Sequence, residues 1–253
     1  MPDAPPAPPT HRPATRGAWL LGAVLYPFAL TRAALLLTSW YATQFASSWT
    51  YPAPVSATRG WSWSRARWLD VWGKYDTGWY LDLAAHGYAP PADLAHQMSN
   101  LAFFPLYPWL VRGLHALLPR AWQGDEARFL VAVALSNALA VAGLAAVFLL
   151  VRDAFRDEAL ARRTVLYLLL FPASFFLSCA YSESLFLLLA AATLLLAGRG
   201  RWWLAGACGI LLGLARPSGV VVALPLAWMY LEHRGLSLSR VRLDALALLG
   251  APL

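Results

Sequence analysis

Charge is scarce in this chain. Asp, Glu, Lys and Arg make up 13% of its 253 residues, where a soluble domain carries about 25%. With 59% of the residues hydrophobic, that deficit excludes an ordinary soluble fold. Cysteine is scarcer still. Cys179 and Cys208 stand inside apolar segments, which excludes a disulfide framework and a cysteine metal site. There is no phosphate-binding glycine loop, dinucleotide fingerprint or zinc-protease motif, and no Asn-x-Ser/Thr sequon. The net charge of +7 is no nucleic-acid signature, because the arginines are dispersed in short loops between apolar runs.

Long apolar runs are what the chain has. Several approach the roughly 20 residues that cross a bilayer. They are continuous rather than alternating, so they predict helices and not a barrel. The fold class expected is all-α, a polytopic transmembrane helix bundle. Residues 1–17 hold six prolines and read as a disordered cytoplasmic tail. Residues 18–253 read as one transmembrane domain, with spans expected at 18–40, 128–151, 163–182 and 183–198. Shorter ones follow at 202–215 and 219–231. A last span begins near Leu243 and the chain stops inside it, which reads as a truncated end. Arg32 interrupts the first span and is expected to snorkel toward the headgroups, the alternative being a buried partner for an acidic group or lipid phosphate.

Residues 41–127 form a long first extracytoplasmic loop. It contains Trp49, Trp61, Trp63, Trp68, Trp72 and Trp79, a density that belongs at the membrane-water boundary. Residues 103–118 within it read as an interfacial or re-entrant helix rather than a full span. With the tail inside, the loops 152–162, 199–201 and 232–242 are cytoplasmic and carry most of the arginines, satisfying the positive-inside rule. The 41–127 loop, the turn before Glu183 and the turn at Arg216 then share the outer face.

Two stretches concentrate polar and aromatic groups: Lys74-Tyr75-Asp76-Thr77-Gly78-Trp79-Tyr80-Leu81-Asp82 and Asn100-Leu101-Ala102-Phe103-Phe104-Pro105-Leu106-Tyr107-Pro108. A helix starting near Thr77 and ending at Gly87 puts Trp79 and Tyr80 on the face of Asp76. Asp76 then has two open readings, a helix cap or a general base acting on a sugar hydroxyl. Glu183 opens an apolar run, where the helix dipole alone favours a carboxylate; the functional alternative is a contact to acceptor or metal. Arg216 sits in a Pro-Gly turn. It reads either as an interfacial arginine on lipid headgroups or as a phosphate clamp. Lys74 is placed to pair with Asp76 or with phosphate. Phe104 and Tyr107 are candidates for the wall of a sugar or lipid site. His86, His96 and His115 have no metal-ligand spacing.

At these residues the sequence resembles the GPI mannosyltransferase 2 (PIG-V-type) family and its bacterial relatives, of the GT-C glycosyltransferase class. The matching pieces are Tyr75-Asp76-Thr77-Gly78-Trp79-Tyr80 with Gly87-Tyr88, and Ala102-Phe103-Phe104-Pro105-Leu106-Tyr107-Pro108. Phe171-Pro172-Ala173-Ser174-Phe175-Phe176, Tyr181-Ser182-Glu183-Ser184 and Ala215-Arg216-Pro217-Ser218-Gly219 follow. They cover roughly residues 70–230. Where the family usually has Arg-Trp before the aspartate, Lys74-Tyr75 stands here. The resemblance implies an inverting transferase that takes mannose, or a similar hexose, from a polyprenyl-phosphate donor on the outer face. The acceptor is a glycan or glycolipid, and membrane lipids are the surroundings. By the same resemblance Asp76 is the base, and Glu183 and Arg216 line the site; Lys74, Trp79, Tyr80, Phe104, Tyr107 and Tyr181 are expected to contact substrate beside them. No cofactor is required, a divalent metal staying open. Eukaryotic members act in the endoplasmic reticulum; the composition here points to a bacterial relative in the plasma membrane. The competing readings are a transporter or lipid flippase, and an inactive fragment or scaffold subunit.

Overall fold

The computed structural model describes residues 17–45, 62–88 and 99–250. The proline-rich residues 1–16, Trp49, Trp61 and His96 lie outside them. Among the described residues all regular structure is helical, as continuous apolar runs require. Helix α1 is Ala18–Phe45, with a π-turn at Leu21–Leu25. Then come α2 (Thr77–His86), α3 (Leu106–Ala116), α4 (Asp125–Phe155), α5 (Glu158–Leu170), α6 (Glu183–Gly198), α7 (Trp202–Ala215) and α8 (Ala223–His233). Tight 3-10 segments cover Arg67–Gly73, Pro172–Leu177, Pro217–Val222 and Leu243–Gly250. Helices α1 and α4 are long and apolar enough to cross a membrane.

The ends of α4 show why it runs so far. Asp125 and Glu126 occupy its first turn and Arg152 its last, each opposing the helix dipole. Its 31 residues at 1.5 Å each span roughly 46 Å. Arg156 then turns left-handed (φ 54°). The next residue, Asp157, caps α5 by accepting the Leu160 N–H at 2.9 Å.

The expected span at 163–182 is not continuous. Helix α5 starts earlier, at the Asp157 cap, and stops at Leu170. Pro172 disfavours a helical Phe171, which is extended (φ −62°, ψ 132°). The chain proceeds through the Pro172–Leu177 turn to Tyr181 and Ser182 before α6 begins.

Packing fixes the directions. Helix α4 lies along α6, and α6 along α7. The approach of α4 to α6 is close enough that a Cβ on Gly143 would meet the Leu188 nitrogen at 3.1 Å. Asp153, near the end of α4, binds Arg199, just past α6, at 2.6 Å. So α4 and α6 run the same way. Helix α7 returns and delivers Arg216 to the Glu183 end of α6, 2.8 Å away.

Arg32 does not snorkel. It is buried, and its guanidinium donates to the Ser174 carbonyl at 2.7 Å, to Ser174 Oγ at 3.1 Å and to Ser178 Oγ at 3.2 Å. The Pro172–Leu177 turn presents these acceptors to the first helix. Ser178 passes the contact on to Asn137 of α4 at 2.8 Å. Arg32 thereby links α1, the Pro172–Leu177 turn and α4.

Candidate functional site

The segment leading to Asp76 is tied down at several points. One oxygen of Asp70 accepts the backbone N–H groups of Trp63 (3.0 Å) and Ser64 (2.9 Å). The Trp63 indole donates to the Gly73 carbonyl at 2.8 Å. Ser64 Oγ and the Arg65 N–H reach Glu126 at the start of α4. The Trp72 carbonyl accepts from the Ala180 N–H at 3.1 Å. Burial pushes the Asp70 carboxyl above its ordinary range, against the pull of those two N–H donors. Burial also lowers the Lys74 ammonium, an effect that nearby Asp70 opposes.

The turn that follows is strained. Tyr75 has φ 52°, a left-handed conformation that non-glycine residues adopt reluctantly. Tyr181 brackets it. Its hydroxyl accepts the Asp76 N–H at 2.7 Å and donates to the Lys74 carbonyl at 2.7 Å. Asp76 then occupies the N-cap position of α2 (φ −78°, ψ −3°), and its side chain makes no capping bond. Of the two readings open in the sequence, the cap is not realised. Helix α2 ends where expected, with Gly87 at φ 84°.

Tyr75, Asp76, Phe176, Tyr181 and Glu183 line a cavity of about 400 Å³. Phe176 and Tyr181 stack at 5.6 Å and 20°, and Tyr75 tilts toward Phe176 at 6.4 Å. One Glu183 oxygen accepts from Arg216 at 2.8 Å; the other, Oε2, is buried with no hydrogen-bond partner. Behind this wall Tyr80 shares a 2.9 Å hydrogen bond with Ser182. Burial pushes the Tyr80 phenol up to about 12, the Ser182 bond opposing. Among the described residues no group of three or more His, Cys, Asp or Glu gathers as a metal site would need. Carboxylate acceptors between aromatic faces suit a ligand with hydroxyl donors and apolar ring faces, which is to say a sugar.

The family model for mannosyltransferases (PIG-V) matches residues 62–222. This chain belongs to the PIG-V mannosyltransferase family. Membership makes it a glycosyltransferase that transfers mannose, and the matched stretch takes in every motif quoted above. No curated protein and no solved structure matches the chain.

Within this PIG-V chain, the residues picked out in the sequence are distributed unevenly. Asp76, Tyr181 and Glu183 line the cavity, and Arg216 is held against it by Glu183. Lys74 is half-buried in the strained turn. Trp79 stacks on Phe103 at 6.0 Å and 15°, and Phe104 is likewise not among the lining residues. Tyr80 supports the wall through Ser182 and Tyr181. Tyr107 has no exposed surface. Its hydroxyl donates to the Ala132 carbonyl and meets Ser136 Oγ, which makes it a core residue.

Tyr75 and Phe176 line the cavity without having been singled out for it. Each stands inside a quoted family motif, which was the available signal. His86 pairs with Asp82 at 3.0 Å and His115 with the Gly124 carbonyl at 3.3 Å.

Proposed function

We propose that this PIG-V chain transfers mannose from a polyprenyl-phosphate donor to a hydroxyl of a glycan or glycolipid. The reaction takes place at the extracytoplasmic face of a multi-pass, GT-C-type bundle, with Asp76 as general base. One observation carries the reading. Asp76 opens α2 with its carboxylate unused by the helix, in a cavity shared with Glu183 and three aromatic rings.

The acceptor oxygen attacks C1 of mannose as its proton passes to Asp76. The bond from C1 to the phosphate oxygen breaks on the opposite side, so the anomeric centre inverts. Polyprenyl phosphate leaves with the electron pair. It is stable as an anion, so neither an acid nor a metal is obligatory. Arg216, with the part of its guanidinium that Glu183 does not take, and Lys74 supply positive charge for the phosphate. Glu183, which lines the cavity, accepts a sugar hydroxyl, and Tyr75, Phe176 and Tyr181 pack against the sugar's C–H faces.

The distribution of arginine supports the sidedness. Arg152 and Arg199 meet at the pole of the α4–α6 pair away from Glu183, as a cytoplasmic end should.

The test is transfer of labelled mannose from polyprenyl-phosphate mannose to the glycolipids of membranes carrying this chain, beside Asp76→Asn. The substitution is expected to lower transfer by about 10²- to 10⁴-fold and to leave membrane insertion unchanged. Undiminished transfer would remove Asp76 as the base.

A further inference from the structure

We propose that Tyr181 acts in the reaction as a positioning residue: its hydroxyl clamps the strained Lys74–Asp76 turn and so aims the Asp76 carboxylate. The inference rests on the reading of Asp76 as base and adds a residue that works through it.

The geometry is that of a bridge. A single oxygen accepts from the N–H of residue 76 and donates to the carbonyl of residue 74, both at 2.7 Å. It therefore closes a ring around Tyr75, the one residue of the turn with a left-handed backbone (φ 52°). A non-glycine residue holds that conformation only where its surroundings over-determine it. The flanks are themselves anchored. The Trp72 carbonyl takes the Ala180 N–H at 3.1 Å and the Thr77 hydroxyl at 3.4 Å. The Lys74 carbonyl also accepts the Thr77 N–H, at a longer 3.4 Å, and the Tyr181 hydroxyl reaches the peptide groups on both sides of Tyr75 at 2.7 Å.

The Asp76 carboxylate has no hydrogen bond of its own to the helix it caps. Its direction is inherited from its main chain, and the main chain is held by Tyr181. The Tyr181 ring is braced in turn. It stacks on Phe176 and lies 5.7 Å from Tyr80, which is itself bonded to Ser182. Tyr181→Phe preserves every ring contact and removes only the clamp.

Without the hydroxyl, the turn relaxes toward negative φ at Tyr75 and Asp76 swings off line. An error of about 1 Å in a catalytic group lowers turnover on the order of 10²-fold. The expected signature of Tyr181→Phe is a fall of that order in kcat that exceeds any rise in KM, since Phe176 and the ring at position 181 stay in the wall and only Tyr75 shifts within it.

A second variant separates aiming from general damage. Asn tolerates the left-handed region, so Tyr75→Asn holds the turn in shape without the clamp. The double variant Tyr181→Phe/Tyr75→Asn should turn over as Tyr75→Asn alone does.

The experiment runs mannose transfer and backbone hydrogen exchange on wild type, Tyr181→Phe, Tyr75→Asn, the double variant and Asp76→Asn, each as full chain in membranes. Exchange is expected to rise in Tyr181→Phe at the peptide carrying the Asp76 amide, and to return to the Tyr75→Asn level in the double variant. Unchanged exchange and turnover in Tyr181→Phe overturn the inference. So does a defect confined to KM, or one that Asn at position 75 leaves in place. If those results come with an inactive Asp76→Asn, the base reading stands and only the clamp falls. Full transfer by Asp76→Asn removes both.

Discussion

Arg216 and Glu183 stand 33 residues apart in the chain and 2.8 Å apart in space. The contact joins the end of α7 to the start of α6 and satisfies one of the two Glu183 oxygens. Arg216 thus has a structural duty as well as the one proposed for it toward phosphate, and the two are separable. Arg216→Met should destabilise the protein by about 1–2 kcal/mol, the lower part of the range for a lost charged hydrogen bond because the pair is partly exposed. Adding Glu183→Gln should recover most of that stability, since no charge is then left alone, and should not recover transfer. Thermal unfolding in detergent and the transfer assay read the two effects independently.

Arg32 gives an ordering rather than a size. Its guanidinium is buried on three serine acceptors with no carboxylate in ion-pair range among the described residues, and its Nε has no partner. Met at this position removes a buried charge and also the hydrogen bonds to Ser174 and Ser178, two effects of opposite sign and each of a few kcal/mol. Lys keeps the charge and loses the fork that reaches both serines. Arg32→Lys should therefore unfold at a lower temperature than Arg32→Met. The reverse order would mean that charge and not geometry is what the site needs.

Two glycines predict opposite outcomes. A Cβ at Gly143 meets α6 backbone at 3.1 Å, whereas at Gly113 nothing lies within 4 Å. Gly143→Val should cost about 1–3 kcal/mol by forcing α4 and α6 apart. Gly113→Ala should stabilise by about 0.5–1 kcal/mol, as Ala does over Gly within a helix. Melting temperatures of the two variants, measured side by side, check the pair.

Asp70 predicts a pH dependence. Burial raises its carboxyl above the ordinary 3.8, so the folded state holds that proton more tightly than the unfolded state does. Stability should fall as pH rises from 3.8 through the raised value and stay lower above it. Asp70→Asn keeps an oxygen for the Trp63 and Ser64 N–H groups and cannot titrate. Unfolding temperature plotted against pH should lose that descending step in the variant.

Local signals were legible in the sequence where chain-neighbour chemistry decides the outcome. The polar start at Glu183 and the apolar run after it define α6, and Gly87 ends α2 by its freedom at positive φ. The 163–182 run misled because its apolar character hid the break at Pro172. Tertiary partners were not legible. Tyr107 and Tyr75 are both aromatics in polar surroundings, but the first finds two buried hydrogen-bond partners and the second a cavity. Arg32 looked like a snorkelling residue because nothing near it in sequence shows that Ser174 and Ser178 lie alongside.

The link from Arg32 to Ser174 and Ser178 has a practical consequence for anyone wishing to transplant this activity. The family match opens at residue 62, thirty residues beyond Arg32. A graft cut to the matched stretch carries all five lining residues and leaves behind the cation that props up the wall bearing Phe176. What is shared by descent and what must travel together for the site to hold its shape are different pieces of this chain. A borrowed first helix can replace the lost one only if it brings a two-pronged donor to the same depth.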